Sequence, residues 1–84
     1  NLEKENRMPI LRVGKKEYNV TLLDKKNNPL FLKLSSERKI LDNILSNLSQ
    51  TIDLKADIDT MRAILYKYLK NTKIKFKDIK IREI

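Results

Sequence analysis

The chain has no cysteine and no histidine, and only one glycine and two prolines in 84 residues. Without cysteine, no disulfide staples the fold and no thiolate holds a metal, a usage that fits a reducing compartment. Without histidine, the chain lacks the commonest general base and the commonest neutral metal ligand. Ser–His and Cys–His nucleophilic pairs cannot form within it. The lone Gly14, before Lys15-Lys16, serves a turn and not a glycine-rich phosphate cradle. No apolar run approaches the roughly 20 residues of a membrane span. These lacks lead to the expectation of a soluble, cytoplasmic, non-catalytic protein with no cofactor, no metal and no membrane partner.

What the chain does have is positive charge. Nineteen Lys/Arg stand against eleven Asp/Glu, a net charge of +8. The distribution is uneven: residues 1–34 carry +4, residues 35–60 carry −2 and residues 61–84 carry +6. Such a domain is drawn to nucleic acid, to acidic proteins or to anionic surfaces. Lys, Asn and Ile together make 32 of the 84 residues, the set that an AT-rich genome over-supplies, so part of the excess is compositional. Only five of the nineteen cations are Arg, the residue suited to bidentate phosphate and base contacts. A short, Lys-rich chain without motifs fits a phage or mobile-element product, or a module of a larger protein.

The pattern along the chain predicts a small α+β protein. Residues 1–8 are polar, lack periodicity and read as a flexible arm or remnant, with Met8 a candidate natural start. Residues 9–84 read as one domain. Ile10 to Val13 is a short strand, and Gly14 supplies a turn that needs a positive φ. Glu17 to Leu23 is a second strand, with Tyr18, Val20 and Leu22 alternating with Asn19 and Thr21. A turn at Asp24 to Pro29 leads to a third strand at Leu30 to Leu34, completing a meander. Ser35-Ser36 caps a helix whose stripe is Ile40, Leu41, Ile44, Leu45 and Leu48. A second helix is expected after Asp53, with the stripe Leu54, Ile58, Met61, Ile64, Leu65, Tyr68 and Leu69. A C-terminal strand follows, its phase broken at Asp78 by a β-bulge or by a split into two short strands. The expected order is β-β-β-α-α-β, a mostly antiparallel sheet on two helices.

The candidate chemistry is sparse. Asp53, Asp57 and Asp59 are the only acidic cluster, and they suit the positive end of a helix dipole. The segment lacks the Gly and terminal Glu of a calcium loop. The basic residues are more suggestive. Along Lys73-Ile74-Lys75-Phe76-Lys77, charge and hydrophobe alternate with period two, which places three Lys on one face of a strand. If the helices cover the opposite face, the outer sheet face presents Arg12, Asn19, Phe31, Lys33, Lys73, Lys75 and Lys77. Cations for phosphates, amide hydrogen bonders and an exposed ring are what a single-strand or RNA platform uses. The same surface suits an acidic protein partner, as an interaction module or inhibitor, and an exposed Phe31 suits a homodimer contact. A Lys row on an edge strand also protects against edge-to-edge aggregation.

Residues 29–70 bear one family resemblance. A strand at Leu30–Leu34, a Ser cap, a helix, a short connection and a second helix ending in Ile64-Leu65-Tyr66-Lys67-Tyr68-Leu69 are similar to a ribbon-helix-helix repressor. The resemblance implies a dimer whose outward strand residues, here Phe31 and Lys33, enter the DNA major groove.

Overall fold

The computed structural model describes residues 8–30, 32 and 36–84. Its elements are β1 (Ile10–Val13), β2 (Lys16–Leu23), α1 (Ser36–Thr51), α2 (Ile58–Leu69) and β3 (Asp78–Glu83). The strands form one antiparallel sheet in the order β1-β2-β3, with β2 in the centre. The expected α+β class is present: an antiparallel sheet, two helices and a C-terminal strand.

Alternation decides which face of the sheet is buried. Leu11 lies opposite Tyr18, Val20 opposite Ile81 and Leu22 opposite Ile79, and all six side chains are buried. The helices lay their stripes on this face. Leu41, Leu45 and Leu48 of α1 and Met61, Leu65 and Leu69 of α2 share one core with the strand residues. α1 lies against β1 and α2 against β3.

The first hairpin depends on Gly14. Val13 and Lys16 pair, leaving a two-residue loop of Gly14 and Lys15. Gly14 has φ +64°, while Lys15 has a negative φ, the pattern of a II′ turn with glycine at its first central position. The second turn is built on Asp24. Its Oδ1 accepts from the backbone N–H groups of Lys26 and Asn28 at 2.8 and 2.9 Å, and Asn27 takes the left-handed φ of 64°.

The third strand of the expected meander is corrected in its described part. Leu23 and Pro29 form a single bridge, flanked by Asp24 N–H donating to Asn28 O and Leu30 N–H donating to Leu22 O. Those bonds make Pro29 a non-hydrogen-bonded position, so its missing N–H costs nothing there. Neither Leu30 nor Leu32 continues in a strand. Phe31, Lys33 and Leu34, with the Ser35 cap, lie outside the described residues. The ribbon expected of a ribbon-helix-helix dimer therefore starts, at Leu30, by bonding to its own chain.

The second helix starts later than expected. Asp53 makes a turn of its own: its Oδ1 accepts from Lys55 N–H at 2.8 Å, and its carbonyl accepts from Ala56 N–H. Asp57 is the N-cap of α2, accepting from Thr60 N–H at 2.8 Å. That hydrogen bonding to Thr60 holds the Asp57 carboxyl below its ordinary value. Leu54 is consequently outside the helix and 72% exposed, and Tyr68 is also exposed. Both leave the expected stripe.

The largest correction concerns residues 73–77, which are not a strand. Ile74 and Ile79 are both buried, yet they are five residues apart, so one regular strand would send them to opposite faces. Lys77 N–H donates to Leu23 O at 2.8 Å although Leu23 is the ladder partner of Asp78, so two successive residues face one, as in the bulge expected at Lys77-Asp78. Ile74 reaches the core from an irregular segment, and the ladder begins at Asp78, opposite Leu23. Ile79 and Ile81 then set the phase of β3.

Candidate binding surface

The face of the sheet opposite the helices carries the outward residues of each strand. Arg12 faces Glu17, Asn19 lies between Ile10 and Arg82, and Thr21 faces Lys80. Arg12 Nε bonds Glu17 Oε2 at 2.9 Å across the first hairpin. This pair is well exposed and so adds little to stability. Lys80 and Arg82 are exposed and form no ion pair with a described residue. Of the residues expected on this face, Arg12 and Asn19 are there. Phe31 and Lys33 lie outside the described residues. Lys73, Lys75 and Lys77 are elsewhere, because they precede the ladder. Lys80 and Arg82 take their place, and the sequence signal for them was the Ile79/Ile81 alternation.

The displaced lysines contribute to a different feature. A groove of about 590 Å³ runs between the C-terminal end of α2, the 72–77 segment and the Asp24 turn. Lys25, Lys70, Lys75 and Lys77 line it together with Tyr66 and Phe76. Lys73 is exposed but does not line it. Local structure explains each placement. Lys25 is carried by the Asp24 turn, and Lys70 is the C-cap of α2, its N–H donating to Tyr66 O at 3.0 Å. Thr72 then ends the helix: its Oγ1 and its N–H both donate to Leu69 O, at 2.7 and 3.0 Å. Lys75 and Lys77 flank Phe76, which is half-buried against the core, so alternation around it turns both cations outward.

Charge separates the two surfaces. The sheet face sets Arg12, Lys80 and Arg82 against Glu17 and Asp78. Among the described residues, the groove sets four lysines against Asp24 alone, and the Oδ1 of Asp24 is already occupied by two backbone donors. The groove is therefore the more positive of the two, and it also has the exposed ring.

The acidic cluster is dispersed into local roles. Asp53 and Asp57 hold their turns, and Asp59 pairs with Arg62 at 2.9 Å. Among the described residues no three metal-ligating side chains gather, and no helix is long and apolar enough to cross a membrane. Comparison with protein-family models, with curated proteins and with solved structures gives no match.

Proposed function

We propose that this protein is a small accessory nucleic-acid-binding domain with no catalysis of its own, and that its main contact is the lysine groove. The observation that carries this reading is the gathering of Lys25, Lys70, Lys75 and Lys77, from three separate parts of the chain, around one groove with a half-exposed tyrosine. Lysine ammonium groups are point charges that suit phosphates without demanding bidentate geometry, so the contact is expected to be sequence-tolerant. The flanking sheet face, with Lys80 and Arg82, would extend the positive potential that steers a polyanion inward.

An acidic protein partner would use the same charges. What favours nucleic acid is the ring among the lysines, since base stacking uses a flat π-surface and a carboxylate does not. The test is a titration of labelled single- and double-stranded DNA and RNA at about 50 mM and about 200 mM salt. Binding that weakens steeply with salt supports the reading, and no binding of any of them at the lower salt overturns it.

A further inference from the structure

Tyr66 and Lys70 stand one turn apart on α2 and project from the same side of the helix. The Tyr66 and Phe76 rings pack in a T-shape, with centroids 5.4 Å apart and planes at 73°. Phe76 is in turn packed against the core. The ring is thus held by a tertiary contact while Tyr66 stays 46% exposed. Tyr68 is as exposed, but it lies two residues on, across the helix, and does not line the groove.

We infer that the groove receives an unpaired nucleobase, its π-face against Tyr66 and its neighbouring phosphates on Lys25, Lys70, Lys75 and Lys77. The ligand class is therefore single-stranded and not duplex nucleic acid, an inference that rests on the nucleic-acid reading above. A ring fixed in place gives stacking with little further ordering, and every base offers a π-face once it is unstacked. A duplex keeps those faces hidden. The volume of about 590 Å³ falls within the range of sites that take small-molecule-sized groups. Two negative features oppose an anion here: Asp24 and the C-terminal end of the α2 dipole. Both are engaged within the fold, and the four lysines outweigh them. Asp24 accepts from Lys26 and Asn28, and the Leu69 carbonyl accepts from Thr72.

The experiment compares the full chain with its Tyr66→Leu and Tyr68→Leu variants, each titrated with an oligonucleotide of about 12 nucleotides and with the duplex of the same sequence. Tyr66→Leu is expected to weaken single-strand binding roughly ten-fold, the size of one lost base–aromatic stack, and duplex binding less than about two-fold. Tyr68→Leu should change neither. The chain has no tryptophan, so tyrosine emission gives a second readout. The single strand should quench it in the parent and in Tyr68→Leu, but not in Tyr66→Leu. Parent binding with no selective loss in Tyr66→Leu, and quenching unaltered in that variant, overturns the single-strand assignment and leaves the nucleic-acid reading standing. No binding of strand or duplex by the parent at low salt overturns both. Tighter binding of a poly-glutamate peptide of equal charge overturns both in favour of an acidic protein.

Discussion

Replacing Gly14 with alanine tests the first hairpin and, through it, the register of the sheet. Gly14 sits at φ +64°, where an L-residue brings its Cβ against its own backbone at a cost of about 1–2 kcal/mol. The space around it adds a second effect. A Cβ there would lie 3.2 Å from Leu54 Cδ2, closer than ordinary contact by a few tenths of an ångström. Leu54 is 72% exposed, so its side chain can swing away and the steric share is small. Gly14→Ala should therefore lose about 1–2 kcal/mol, nearly all of it conformational. In urea, with a slope of about 1 kcal/mol/M, the midpoint would fall by about 1–2 M. The thermal midpoint would fall by about 4–8 °C for each kcal/mol in a chain of this size. The double variant Gly14→Ala/Leu54→Ala should match the sum of the singles within about 0.5 kcal/mol. If Gly14→Ala were neutral, or more stable by about 0.4–1 kcal/mol as at a position with ordinary φ, the II′ turn would be refuted.

Two further stability predictions follow from the helices. Leu65 is fully buried in the shared core, so Leu65→Ala should cost about 2–5 kcal/mol in urea unfolding, and a loss below about 1 kcal/mol would contradict its placement. Asp57 has a carboxyl held below its ordinary value by Thr60, so its contribution is present above the unfolded value of about 3.9 and is lost as pH falls through the lower folded value. The thermal midpoint of the parent should exceed that of Asp57→Ala by a constant amount above about pH 5. That gap should close in acid, and a gap unchanged down to about pH 2 would remove Asp57 as the cap.

The parts of the fold visible in the sequence were those where one local signal acts alone. The alternation of Tyr18, Val20 and Leu22 has no competitor, and the stripe of α1 repeats without interruption, so both were legible. Asp53 and Asp57 were not separable, because either can accept a backbone N–H at a helix start. Only the turn that Asp53 makes with Lys55 and Ala56 decides between them, and Leu54 follows that decision out of the core. Residues 73–77 misled for a related reason. A loop residue that plugs the core, flanked by cations, has the same alternation as a strand, and its conflict with the phase of Ile79 and Ile81 was the one sign against it. Lys80 and Arg82 are masked in the sequence because the alternation of Lys73, Lys75 and Lys77 sets a different outward phase. Lys75 and Lys77 were legible as cations of a binding surface, but the groove was not, because Lys25 and Lys70 join them only through the Asp24 turn and the end of α2.

Whether that groove binds a polyanion is measured most directly by the salt dependence of single-strand affinity. Four lysines on phosphates of a single strand give a log–log slope of about −3, from roughly −0.7 for each neutralised charge. Affinity should then fall about 50-fold between 50 and 200 mM salt, and in Lys75→Gln/Lys77→Gln the slope should be shallower by about 1.4. A parent slope shallower than about −1, or one that those two substitutions leave unchanged, would contradict the account.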